Sequence, residues 1–67
     1  MNFYQIGENI KKYRAFKGKK QEALAREIGV SRIMLSRYEN GRVKISIETL
    51  HTIATSLDIK LMELLDL

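Results

Sequence analysis

An all-α fold of five short helices is predicted by three features of this 67-residue sequence. Apolar residues recur at three- and four-residue spacing along most of the chain, the period of a helix with one buried stripe. Gly18, Gly29 and the pair Asn40-Gly41 fall where those stripes end, and glycine is a common helix stop because left-handed backbone costs it little. No proline is present, which suits short helices joined by tight turns.

Taken in order, Ile6, Ile10 and Tyr13 predict a first helix over about Tyr4 to Lys17, with Phe3 or Phe16 adding to the core and Gly18 as its end. A second helix begins near Gln21 and presents Leu24, Ala25 and Ile28 on one face until Gly29 breaks it. Val30 and Ser31 lead into a third with Leu35 and Tyr38 inward, and the Ser31 hydroxyl suits the N-cap. Ala25 is small where the third helix must come close. Together Leu24, Ile28, Val30, Leu35 and Tyr38 make one small core. Arg42 to Ile45 form a connecting loop. The fourth helix starts after Ser46, which with Thr49 lacks a full capping box, although Glu48 suits the dipole of the first turn. Leu50, Ile53, Ala54 and Leu57 are its inner stripe. Asp58 then punctuates, since aspartate tolerates left-handed backbone better than most residues. A short fifth helix covers about Lys60 to Leu65.

Residues 21–40 are therefore two short helices crossing steeply through a glycine corner, a helix-turn-helix. The second helix of such a unit can lie in the major groove of DNA. Its outward positions are Arg32, Ile33, Ser36 and Arg37. The arginines can form paired hydrogen bonds to guanine edges or single bonds to phosphates, and Ile33 can pack on a thymine methyl.

Composition narrows the possible functions. There is no cysteine, hence no disulfide framework and no thiolate metal site, as a reducing cytoplasm would favour. The apolar runs fall far short of a membrane span, and the N-terminus lacks the apolar stretch of a secretion signal. Charge is uneven along the chain. Residues 1–44 carry eleven Lys/Arg against four Glu, a balance of +7, while residues 45–67 carry one Lys against four Asp/Glu, a balance of −3. A basic front and an acidic tail suggest one surface that meets a polyanion. The one histidine, His51, has no second ligand at metal spacing and no nucleophile beside it. No glycine-rich phosphate loop is present. We expect no enzyme activity, no metal and no cofactor.

These residues resemble the phage-repressor and Cro-like helix-turn-helix proteins, the XRE family. The resemblance runs from about Ile6 to Leu65. It rests on the central unit with Ala25 and Gly29, on Arg14, Gln21 and Glu39-Asn40-Gly41, and on the run from Leu50 through Ile53, Ala54 and Leu57 to Leu64. It implies a five-helix lambda-repressor-like fold over residues 1–67 as a single DNA-binding domain, and a sequence-specific transcriptional regulator of double-stranded DNA. A repressor or autoregulator, of restriction-controller or antitoxin type, fits that size.

The resemblance also implies roles for individual residues. Arg32, Ile33, Ser36 and Arg37 match base-reading positions. Gln21 matches a phosphate contact at a helix N-terminus. Asn40, Arg42 and Lys44 resemble a backbone-binding loop, with Ser31, Lys19 and Lys20 expected on the same side. Arg14 and Glu39 match an ion pair that holds the recognition helix at its angle. The chain departs from the family at Lys19 and Lys20, where a leucine-like residue and Ser or Thr are usual. The start of the second helix thereby loses a core side chain and a capping hydroxyl, and Phe16 and the lysine stems are expected to cover the gap. Lys60 likewise replaces a capping residue, and Ile45 stands where proline is frequent.

The last helix carries more apolar residues than one inward stripe needs. Leu61, Met62, Leu65 and Leu67 are candidates for a homodimer interface. A two-fold dimer would set two recognition helices about 34 Å apart and so read a palindrome. Possible further partners are a toxin or another regulator. A protein-interaction module that keeps the fold without specific DNA binding is the competing function, and Arg32, Arg37 and the basic loop argue against it.

Overall fold

The computed structural model describes residues 1–65. Its five helices are α1 (Phe3–Phe16), α2 (Gln21–Ile28), α3 (Arg32–Glu39), α4 (Ile47–Ser56) and α5 (Leu61–Leu65). No strand occurs among the described residues. α1 packs on α3, α2 packs on both α3 and α4, and α5 closes the bundle against α1 and α4.

The core forms where the predicted stripes converge. Ile6, Ile10, Leu24, Leu35, Leu50, Ile53, Leu57 and Leu64 are fully buried, and Ala25 and Ala54 fill the close approaches. Phe3, Tyr13, Ile28, Val30 and Tyr38 pack around the edge of that cluster. Burial of each such aliphatic side chain contributes about 1.5–3 kcal/mol before chain entropy is counted.

Four helices end the same way. Gly18, Gly29, Gly41 and Asp58 have positive φ, with Asp58 (56°) the non-glycine among them. At each, the next amide reaches back five residues: Lys19 to Arg14, Val30 to Ala25, Arg42 to Arg37 and Ile59 to Ala54, all at 3.0 Å. This is the Schellman closure, which satisfies carbonyls the helix leaves open. The starts differ more. Asn2, Ser31 and Ser46 each cap through a side-chain oxygen, whereas Lys20 offers no side-chain cap to α2. Ahead of α5, the Lys60 amide donates to Glu63 Oε1 at 3.0 Å. That is the carboxylate half of a capping box, and it offsets the missing hydroxyl.

Several expectations need correcting. Phe16 is 82% exposed and adds nothing to the core. Ten residues after Ile6, it sits about 80° off the inner stripe of α1, beyond Tyr13, which packs against the core, and on the side of the last turn away from Arg14, which faces α3. Lys19 fills the space instead. Its side chain is only 27% exposed, and Nζ donates to Glu27 Oε1 and to the Ser56 carbonyl at 2.7 Å. Ser56 Oγ donates to the same carboxylate oxygen. A lysine in a leucine-like position thus ties the α1–α2 turn to the C-terminal end of α4, where a cation also meets the helix dipole. Ile45, which stands where proline is frequent, is buried in the core.

Besides Glu39, two buried positions carry no apolar signal. Asn9 donates from Nδ2 to the Leu64 carbonyl at 2.9 Å and so pins α5 to α1. At Gly7, an added Cβ would lie 2.4 Å from the Tyr38 carbonyl oxygen and 2.7 Å from that of Glu39. The backbone of α1 therefore touches the end of α3 directly.

Candidate nucleic-acid interface

α3 owes its position to Leu35 and Glu39, both buried on its inner side. At about 100° per residue, Arg32 and Arg37 bound an outward arc of about 140° that also contains Ile33, Ser36 and Asn40. Arg32, Ile33, Arg37 and Asn40 are exposed and Ser36 is half-buried. Ile33 is 59% exposed, a branched apolar side chain in water beside two guanidiniums. Ser36 Oγ accepts a 3.4 Å bond from Asn40 Nδ2, so the last turn of this face is continuous with the loop that follows.

Behind that face lies a chain of polar contacts. Arg14 Nε donates to Glu39 Oε2 at 2.6 Å and Nη2 donates to Glu39 Oε1 at 3.2 Å. Arg14 Nη1 donates to the Lys19 carbonyl at 2.8 Å, just before α2 begins. The Glu39 side chain is 2% exposed. Its burial is tolerated because both oxygens accept charge-assisted bonds from one planar fork. Gln21 Nε2 donates the third bond to this carboxylate, to Oε1 at 2.9 Å. Gln21 Oε1 in turn accepts a longer 3.4 Å contact from Arg32 Nη1. One N–H of the Gln21 amide remains to donate outward. The start of α2 and the start of α3 are thereby linked through the side chain that leads each.

Arg32, Ile33, Ser36 and Arg37 share the outward face of α3. Gln21 joins that face at its first turn, and Asn40, Arg42 and Lys44 continue it at the other end, where Arg42 and Lys44 are exposed. Ser31 Oγ accepts from the Met34 amide at 3.0 Å as the N-cap. Lys20 is exposed ahead of α2. Among the described residues the ion pairs are Arg14–Glu39 and Lys19–Glu27. Lys20, Arg32, Arg37, Arg42 and Lys44 are cations without a carboxylate partner there. Lys19 departs from this set, because its ammonium is held by Glu27 and Ser56 at the far end of α2. In α5, Met62 is 78% exposed, and Leu61 and Leu65 are half-buried. Leu67 lies outside the described residues.

No group of metal-binding side chains occurs among the described residues, and His51 is exposed. No described helix is long and apolar enough to cross a membrane.

A helix-turn-helix that offers one cationic, lightly apolar helix face, braced from behind by a buried ion pair, defines the class of protein. The comparisons agree with it. A sequence model of the helix-turn-helix family matches residues 10–64. The antitoxin PezA of Streptococcus pneumoniae is 37% identical over 59 residues, which is 88% of this chain and 37% of that protein. This chain thus spans little more than a third of that relative's length. The restriction-modification controller protein C.AhdI of Aeromonas hydrophila superposes with a TM-score of 0.89 at 32% identity, covering 94% of this chain and 91% of its own. SinR, a master regulator for biofilm formation solved in complex with DNA, gives 0.82 at 39% identity, covering 91% and 98%. The chain belongs to the helix-turn-helix family of phage-repressor and Cro-like proteins.

Proposed function

We propose that this protein is a sequence-specific, double-stranded-DNA-binding transcriptional regulator that inserts α3 into the major groove. The observation that carries this reading is the outward face of α3. Arg32, Ile33, Ser36 and Arg37 lie together on it, and the Gln21–Glu39–Arg14 chain holds it from behind. Arg32 and Arg37 supply hydrogen bonds to base edges, and Ile33 supplies an apolar contact to a thymine methyl. Gln21, Ser31, Lys20, Asn40, Arg42 and Lys44 supply phosphate contacts that fix register without carrying sequence information. The DNA-bound neighbour and the restriction controller support this use of the fold. The protein acts in the cytoplasm and does no chemistry of its own on the DNA.

The operator is a palindrome bound by a homodimer. One copy offers one outward recognition helix, so reading two half-sites about 34 Å apart takes two copies. The apolar surplus of α5, led by Met62, supports pairing there, with Leu61 and Leu65 at its margin. A monomer by sedimentation at micromolar concentration, with and without DNA, would contradict the dimer. The antitoxin relative supports a further protein partner, such as a toxin.

Selection of bound duplexes from a random pool tests the function. A shared half-site repeated in inverted order about one helical turn apart is the expected product. A pool that emerges unenriched after several rounds would contradict it.

A further inference from the structure

We infer that Tyr4, in the first turn of α1, is a DNA-backbone contact that lengthens the phosphate-binding edge formed by Asn40, Arg42 and Lys44. The inference rests on the DNA-binding reading above and adds a contact from a helix outside the helix-turn-helix unit. α1 begins against the loop that leaves α3. A Cβ placed on Gly41 would lie 2.6 Å from Tyr4 Cα and 3.2 Å from Tyr4 Cβ. The Tyr4 side chain therefore departs from the helix beside Gly41, the residue between Asn40 and Arg42.

The side chain is free to act there. Tyr4 is 66% exposed, and among the described residues its hydroxyl meets no hydrogen-bond partner. The exposed phenol O–H donates to solvent, and its place beside a cationic loop lets a ligand with oxygen acceptors take that water's position. A phosphodiester fits, because the phenol O–H donates to a charged oxygen and the bond is charge-assisted. The first turn of α1 contains no acidic residue that would repel a phosphate. Contact with a base is less suited to this position, since Tyr4 lies beyond the end of α3 that leads away from the groove-reading face.

The test is Tyr4→Phe, which removes one oxygen and leaves the ring. Binding of the parent and the variant is measured on the selected operator and on a random duplex, each across a salt series, after equal melting temperatures are established. A phenol is uncharged and displaces no counterion, so the variant should bind both duplexes about three- to tenfold more weakly with the salt slope unchanged. Arg42→Ala, in contrast, should also reduce the slope by about one. Equal affinities for Tyr4→Phe and the parent would overturn the contact while leaving the DNA-binding function standing. A loss confined to the operator would overturn it too, because it would make Tyr4 a base reader. Failure of the parent to bind any duplex would sink both readings.

Discussion

Arg14 and Glu39 are joined by two hydrogen bonds, the shorter 2.6 Å long, across 25 residues of sequence. The pair couples α1 to the last turn of α3, and the third Arg14 bond, to the Lys19 carbonyl, couples both to the entrance of α2. One guanidinium thus sets the relative position of three helices. Removing the carboxylate strands a guanidinium that is only 13% exposed. Glu39→Ala should therefore cost about 3 kcal/mol and lower the melting temperature by roughly 12 °C or more. A melting temperature equal to the parent's would refute a structural role for the pair.

Gly7 and Gly29 should fail for different reasons. Gly7→Ala drives a methyl into the Tyr38 and Glu39 carbonyls, so α1 and α3 must separate, at a cost of about 1–3 kcal/mol. Gly29 has open space around it but φ of 77°, and alanine there meets only the left-handed backbone penalty of about 1–2 kcal/mol. Because the Gly7 change moves α3, it should also weaken operator binding in samples that remain folded. Gly29→Ala should change stability alone. Denaturant melts paired with binding curves distinguish the two.

The Glu27 carboxyl is held below its usual range by the Lys19 ammonium and the Ser56 hydroxyl, both hydrogen-bonded to it. A carboxyl depressed by folding adds stability above its unfolded value, and that stability fades as pH falls through the folded value. The melting-temperature gap between the parent and Glu27→Gln should therefore be present at neutral pH and close in acid. The site is exposed, so the gap should be small. A gap that widens toward acid would show that the sign is wrong.

Much of this was legible because helix period and stop signals act locally. Ile6, Ile10, Leu24, Leu35, Leu50, Ile53 and Leu57 announce their burial by spacing. Gly18, Gly29, Gly41 and Asp58 announce the helix ends by backbone preference. The α1 and α5 limits differ from expectation by one residue, the ordinary uncertainty of a fraying end. Tertiary partners were the harder part. Nothing near Asn9 in sequence reveals that its amide meets Leu64 at the far end of the chain. Gly7 lies mid-helix, where glycine usually only weakens a helix, and its reason appears only once α3 is in place. Of the two residue types expected to cover the gap before α2, Phe16 stays in solvent and the Lys19 stem does the covering, with its ammonium turned to Glu27 and Ser56. Composition makes phenylalanine the better core residue, but three-dimensional position gives the interior to a lysine stem whose charge reaches a helix C-terminus and a carboxylate. In the candidate interface, the outward set on α3 followed from helix period, whereas the Gln21–Arg32 contact required the angle between α2 and α3.

Arg42→Ala and Arg32→Ala should separate positioning from reading. Arg42 lies in the loop after α3, so its loss should weaken binding to all duplexes alike and flatten the salt dependence by about one phosphate. A sequence-selective loss at Arg42 would place it in the groove instead.

On the function proposed above, α3 reads base edges through Arg32. The most direct test is the ratio of operator to random-duplex affinity for Arg32→Ala against the parent at one salt concentration. This ratio should fall by roughly ten- to a hundredfold, about 1–3 kcal/mol, with discrimination lost at one guanine position in each half-site. A variant that discriminates as well as the parent, while binding every duplex slightly less tightly, would contradict it.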